Sequence, residues 1–251
     1  MMTKDRLIVA LDVDNGQEAR TLIGRLAGKV GCFKIGSRLF TREGPDLVRE
    51  IVSSGEQVFL DLKYHDIPSI TAAAALAAAQ MGVAMLTLHT LGGAEMLEAT
   101  VRGVGYWRES TERARPWLIG VTILTSMDSA ALTRSGVDRP LDEMVLRLAA
   151  MAVTSGLDGI VTSPRELERL RMQGPPSLKI ITPGVRPEWA DRGDQTRVLT
   201  PYEAMRRGAD YLVIGRPIIC AVDPLAAVER ILEEMEGAHD QRNQPLPTES
   251  R

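Results

Sequence analysis

Runs of apolar residues alternate with amphipathic stretches along the chain, and the alternation repeats eight times. Short apolar runs bounded by turn residues predict strands that are buried on both faces. The predicted strands are RLIVALD (6–12), CFKIG (32–36), QVFLDLK (57–63), AMLTLHT (84–90), WLIGVTIL (117–124), DGIVTS (158–163), LKIITPG (178–184) and DYLVIG (210–215).

The stretches between these runs are amphipathic and predict helices. They lie near 16–28, 43–54, 69–81, 93–104, 141–155, 164–172, 200–207 and 223–236. Most of them end in glycine, which is the residue expected where a helix stops and the chain turns into the next strand. These glycines are Gly28, Gly55, Gly82, Gly156 and Gly208.

Apolar strands separated by helices imply a parallel sheet covered by helices. Eight repeats in about 235 residues favour an α/β fold of the (β/α)8 TIM-barrel type, with a single domain over residues 1–237. A dinucleotide-binding sheet is disfavoured, because the first strand continues as LDVDNGQEA and lacks GxGxxG. The polar residues 238–251 are expected to form a mobile tail.

The composition changes this picture little. The chain has 251 residues, of which 44% are hydrophobic and 25% charged, as in ordinary globular proteins. A formal net charge of −3 without a basic run gives no indication of nucleic-acid binding. No signal peptide or membrane span is predicted, so a cytoplasmic protein is expected. Cys32 and Cys220 lack a zinc spacing, and each is expected to be a buried thiol.

Charged residues gather at the ends of the second and third strands, where barrels of this type carry their chemistry. Asp61 and Lys63 are two apart in a strand and therefore project to the same face. Lys34 on the neighbouring strand and Asp66 on the following loop would extend them into an alternating row of charges. A structural ion-pair network is the alternative, but desolvation makes buried pairs poor stabilisers, so a functional site is the better interpretation.

A second group of residues follows strands seven and eight, where barrels often bind phosphate. ITPGVRPEW supplies Arg186, GDQTRVLTP supplies Gln195, and VIGRPI supplies Gly215 and Arg216. Arginine forks and open backbone amides suit a phosphate dianion. The two groups together predict a site for a phosphorylated small molecule.

These segments resemble the orotidine 5′-phosphate decarboxylase family in its bacterial form, and the resemblance extends from LIVALD (7–12) to VIGRPI (213–218). The most specific match is DLKYHDIP (61–68), which is similar to the family signature DxKxxDIP. TPGVRP (182–187), GDQTRVLTP (193–201) and VTILTS (121–126) fit other family patterns in the same order.

The resemblance implies decarboxylation of orotidine 5′-monophosphate to UMP with no cofactor and no metal, in a homodimer. Lys63 is then the proton donor to C6, and Asp61 adjoins the substrate carboxylate. Lys34 and Asp12 would hold ribose hydroxyls and the charge network, and Asp66 would enter the active site of the other subunit. The remaining implied contacts are Thr125 to the pyrimidine, Gln195 between phosphate and base, and Arg186, Gly215 and Arg216 to the phosphate.

One position departs from the family pattern: where the family usually reads DIPNT, this chain reads DIPSI with Ile70. A substrate contact across the dimer is therefore weakened or replaced. Two other functions stay open. One is a Mg²⁺-dependent sugar-phosphate decarboxylase of the same superfamily, and the other is a non-catalytic barrel that binds a phosphate ligand.

Overall fold

In the computed structural model, eight parallel strands close into one barrel, which confirms the predicted (β/α)8 fold. The structure describes residues 2–111, 114–190 and 199–240. Each strand pairs with its neighbour in sequence, and β8 pairs with β1. The strands are β1 Leu7–Ala10, β2 Cys32–Gly36, β3 Val58–Tyr64, β4 Met85–His89, β5 Trp117–Val121, β6 Gly159–Val161, β7 Lys179–Pro183 and β8 Tyr211–Ile214.

Helices follow the strands and cover the outside of the barrel. They are α1 Gly16–Leu26, α2 Ser37–Ser53, α3 Pro68–Gln80, α4 Ala94–Thr111, α5 Ser129–Arg134, α6 Leu141–Thr154, α7 Leu167–Gln173, α8 Pro201–Arg206, α9 Arg216–Ile219 and α10 Pro224–Asp240. The five glycines predicted to end helices all have positive φ, between 67° and 104°. None of the described helices is long and apolar enough to cross a membrane.

The helices differ from the sequence prediction in several places, and helix α4 for example runs to Thr111, past its predicted end near residue 104. Helix α2 begins at Ser37 and not near residue 43, because Gly44 with φ 69° and Pro45 join two helical segments across a kink. The short helix α5 was not predicted. Helix α10 continues to Asp240, past the predicted end of the barrel domain at residue 237, and Ala238 is fully buried.

Alternate residues of each strand face the inside of the barrel, where Ile8, Cys32, Phe59, Met85, Ile119 and Ile181 pack together. The intervening residues belong to a larger apolar layer between the sheet and the helices. Cys32 is buried as expected, but the prediction for Cys220 is wrong, because its thiol lies on the exposed surface after α9.

The lower face of the barrel, at the end opposite its mouth, contains the same arrangement of hydrogen bonds twice. In each arrangement, which we call a clamp, an aspartate that immediately precedes a strand is the acceptor. Asp158 accepts two hydrogen bonds from Arg115, at 2.6 and 2.8 Å, and one from the backbone N–H of Leu118 at 2.9 Å. Asp210 likewise accepts from Arg171 and from the backbone N–H of Ile180. Each carboxylate therefore ties one strand to the adjacent strand at the end opposite the barrel mouth.

We expect Asp158→Ala to lower the free energy of unfolding by about 1–3 kcal/mol, because it leaves the N–H of Leu118 without its acceptor and the guanidinium of Arg115 with only the carbonyl of Pro116. Glu98→Ala is the control, since Glu98 forms only an exposed pair with Arg102 on one helix. Its loss should change stability by less than about 0.5 kcal/mol. Urea denaturation of both variants measures the difference, and equal losses would contradict this role for the clamp.

Candidate active site

The period of the strands brings the predicted charged residues into the mouth of the barrel. Lys34 and Asp61 each lie two residues beyond an interior apolar residue of their own strand and so share its side of the sheet, and Asp12 lies two residues beyond Ala10, the last residue of β1. Those interior residues are Cys32 and Phe59. Apolar side chains thus fill the interior of the barrel, and charged side chains line its mouth.

The charges form a continuous row. The Nζ atom of Lys34 lies 3.3 Å from Oδ1 of Asp12 and 3.4 Å from Oδ2 of Asp61. The Nζ atom of Lys63 lies 2.9 Å from Oδ1 of Asp61. The structure therefore brings together Lys34, Asp61 and Lys63, and Asp12, which the family resemblance implied for the charge network, lies at the other end of the row.

Asp61 is the carboxylate at the centre of the row, and its side chain is only 12% exposed and pairs with two lysines. Burial by itself raises the pKa of this carboxyl group. The charges of Lys34 and Lys63, with hydrogen bonds from Lys63 and Thr87, outweigh burial and hold the pKa of Asp61 below its usual range. Asp61 therefore stays a carboxylate in a nearly dry site.

Thr87 on β4 is a member of the site that the sequence prediction missed. Its hydroxyl donates to Oδ1 of Asp61 at 3.0 Å and accepts from the backbone N–H of Lys63 at 2.8 Å. Threonine is common in strands, so its presence there did not indicate a functional role. The sequence showed only that Thr87 lies two residues after Met85 and therefore faces the inside of the barrel.

A cavity of about 290 Å³ connects the charge row with the predicted phosphate-binding residues. Its lining includes Asp12, Lys34, Asp61, Lys63, Thr125, Arg186, Gly215 and Arg216. Arg186 is only 7% exposed. Gly215 has no side chain to fill this end of the cavity, where a Cβ atom would lie 3.7 Å from Oδ2 of Asp12. Cationic groups and open backbone thus line the side of the cavity formed by β7 and β8.

The two described ends of the segment after β7 are joined to each other. Val185 and Leu199 form an isolated parallel bridge, and the N–H of Arg186 donates to the carbonyl of Leu199 at 2.9 Å. Gln195, the predicted contact between phosphate and base, lies outside the described residues.

Asp66 does not join the charge row within one chain. It is exposed, its Oδ1 accepts from the N–H of Ile67 at 2.7 Å, and it does not line the cavity. Thr71 fixes this turn, because its hydroxyl bonds to both the N–H and the carbonyl of Asp66 at 3.2 Å. Ile67 and Ile70 beside it are 62% and 51% exposed, so the position that departs from the family pattern lies on an apolar surface next to the site.

Within residues 2–111, 114–190 and 199–240, no three His, Cys, Asp or Glu side chains come together as metal ligands. Asp12 and Asp61 each lie within 3.4 Å of the Lys34 ammonium group. The carboxylates of the charge row are therefore paired with lysines.

The chain is similar to known proteins over nearly its whole length. Residues 5–231 match the model of the orotidine 5'-phosphate decarboxylase / HUMPS family. A curated orotidine 5'-phosphate decarboxylase of Syntrophotalea carbinolica is 49% identical over 94% of this chain and 96% of its own length. Its counterpart in Moorella thermoacetica is 48% identical over 94% of each chain.

Solved structures give the same result. The crystal structure of orotidine 5'-phosphate decarboxylase from Lactobacillus acidophilus matches with a TM-score of 0.80 and 36% sequence identity, covering 91% of this chain and 98% of that one. Both the sequence and the barrel therefore show that the chain belongs to the orotidine 5'-phosphate decarboxylase / HUMPS family.

Proposed function

We propose that the protein decarboxylates orotidine 5′-monophosphate to UMP and CO2, the last step of de novo pyrimidine nucleotide synthesis, without a cofactor. One observation carries the proposal beyond family membership. The Nζ atom of Lys63, 2.9 Å from Asp61, lies in the same cavity as Arg186 and Arg216. A proton donor and cationic groups suited to phosphate thus line a single cavity.

The reaction breaks the bond between C6 of the pyrimidine and its carboxylate. The electron pair remains on C6, CO2 leaves, and a proton must then be delivered to that carbon. The ammonium group of Lys63 stabilises the developing negative charge and donates the proton. Asp61 orients Lys63 through their hydrogen bond and adjoins the substrate carboxylate.

The other side chains of the cavity bind the parts of the substrate that do not react. In this proposal Asp12 and Lys34 hold the ribose hydroxyls and Thr125 contacts the pyrimidine. Arg186, Gly215 and Arg216 bind the phosphate. By family resemblance Gln195, which lies outside the described residues, is assigned the contact between phosphate and base. Phosphate binding remote from C6 contributes to catalysis when its energy is realised in the transition state.

We also propose that the active protein is a homodimer in which Asp66 completes the site of the partner subunit. Asp66 is exposed in the single chain and stands beside the exposed side chains of Ile67 and Ile70. A charged group flanked by apolar surface is suited to burial against a second copy, where it could reach a charge row that it does not reach in its own chain.

The first of three predictions about the active site concerns Lys63. Lys63→Ala should lower kcat with orotidine 5′-monophosphate by about 10⁴-fold, because both charge stabilisation and the proton donor are lost. Lys29→Ala should retain wild-type activity, because Lys29 is an exposed lysine three residues after the end of α1. The loss of ultraviolet absorbance of the substrate is followed in the presence of EDTA.

The other possible outcomes of this assay would each contradict one part of the proposed function. No turnover of orotidine 5′-monophosphate, with or without Mg²⁺, would favour a sugar-phosphate enzyme or a non-catalytic barrel. Binding of UMP without turnover of the substrate would favour the non-catalytic barrel. Full activity of Lys63→Ala would contradict the proposed proton donor.

The second prediction concerns the phosphate. Orotidine without its phosphate should have a much lower kcat/KM, and Arg216→Ala should lower kcat/KM for the phosphorylated substrate by about 10- to 100-fold. The same substitution should leave turnover of orotidine unchanged, since Arg216 then has no phosphate to bind. A similar loss with both substrates would assign Arg216 a structural role and not phosphate binding.

The third prediction tests the shared site. Lys63→Ala and Asp66→Ala homodimers should each be nearly inactive, because every site lacks one essential group. In randomly mixed dimers, about a quarter of all sites combine an intact Lys63 with a partner's intact Asp66, so mixing should restore about a quarter of wild-type activity. Activity that does not rise after subunit exchange, checked by mass spectrometry of the intact dimers, would rule out a shared site.

A further inference from the structure

The strand that carries Asp61 and Lys63 is irregular at this point. Leu60 pairs with Leu86, and the next pairing joins Tyr64 to Leu88. Residues 61–63 of β3 are therefore opposite a single residue of β4, Thr87. Irregularities of this kind turn side chains in a new direction and are common next to active sites.

Lys63 has an unusual backbone conformation within this bulge. Its φ is 50°, and it is the one described residue other than glycine with a positive φ. Side chains disfavour this left-handed region, so surrounding contacts must hold the residue there. The contact that reaches its backbone is the hydrogen bond from its N–H to Oγ1 of Thr87 at 2.8 Å.

The same hydroxyl also fixes the partner of the Lys63 ammonium group. Oγ1 of Thr87 donates to Oδ1 of Asp61 at 3.0 Å, and that oxygen accepts from Nζ of Lys63 at 2.9 Å. The backbone of Lys63, the hydroxyl of Thr87, the carboxylate of Asp61 and the ammonium of Lys63 thus form a closed ring. Thr87 is fully buried and does not line the cavity, so neither water nor substrate competes for its hydroxyl.

We propose that Thr87 is a positioning residue, which holds the Lys63 backbone in its left-handed conformation and the Asp61 carboxylate in register, so that the ammonium group points at the reacting carbon. The inference rests on the proposed decarboxylation. It gives Thr87 no contact with substrate and therefore predicts an effect on the chemical step and not on substrate binding.

A valine at position 87 has nearly the shape of threonine but no hydroxyl, whereas serine keeps the hydroxyl and loses a methyl group. Thr87→Val leaves the N–H of Lys63 without its acceptor and removes one donor to Asp61. Thr87→Ser preserves both hydrogen bonds. Thr100→Val is the matched control, because Thr100 is also fully buried but its hydroxyl bonds only to a carbonyl of its own helix.

We expect Thr87→Val to lower kcat for orotidine 5′-monophosphate by about 100-fold while KM stays near the wild-type value, because a small misplacement of a catalytic group has an effect of this size. Thr87→Ser should stay close to wild type, and Thr100→Val should change the melting temperature but not kcat. In Thr87→Val the acid limb of the kcat/KM profile should move to higher pH, since a carboxylate that loses a hydrogen bond is protonated more readily.

A folded Thr87→Val variant with wild-type kcat would overturn the inference, and so would a rise in KM with unchanged kcat. If the valine variant does not fold, serine and alanine at position 87 are compared. Serine should retain kcat and alanine should not, and equal values for the two would overturn the inference. A wild-type protein without turnover would instead disprove the proposed function, so the two failures are distinguishable.

Discussion

One nearly buried carboxylate between two ammonium groups determines how the barrel mouth is built. Asp61 is stable as an anion there only because Lys34 and Lys63 lie within 3.4 Å of it and Thr87 donates to it. Removing one of these partners would leave charge without compensation in a site that water barely reaches. The ends of three strands must therefore be placed correctly relative to one another, and the closed register of the barrel supplies this placement.

The site also shows how a barrel combines two kinds of chemistry in one cavity. Strands β1 to β3 contribute paired charges that compensate each other, whereas β7 and β8 contribute arginines and open backbone. The first group suits a reaction at carbon, and the second suits an anion that only binds. Because the strands surround a single cavity, a substrate with a phosphate at one end and a reactive ring at the other can engage both groups together.

The sequence predicts most of this arrangement, for identifiable reasons. The two-residue period of strands placed Lys34 and Asp61 on the inner side, and parallel topology then brought them together. Lys63 was predicted to share their side, but its position in the structure also depends on the bulge in β3. The bulge at 61–63 could not be predicted, because it depends on how two strands align and leaves no mark in composition. Thr87 was missed for the same reason: its importance follows from its position opposite that bulge. The prediction from strand ends that Asp66 extends the charge row does not hold within one chain, because its carboxylate does not reach that row.

The paired aspartate clamps lie at the end of the barrel opposite the chemistry. Asp158 and Asp210 tie strands together from below and contact none of the residues of the charge row. Changes at the lower face can therefore alter thermal tolerance while leaving turnover intact. Substitutions around the clamps are therefore a route by which such a protein can adapt to a hotter or colder habitat. Substitutions in the mouth are more restricted, because every charge there must keep its partner.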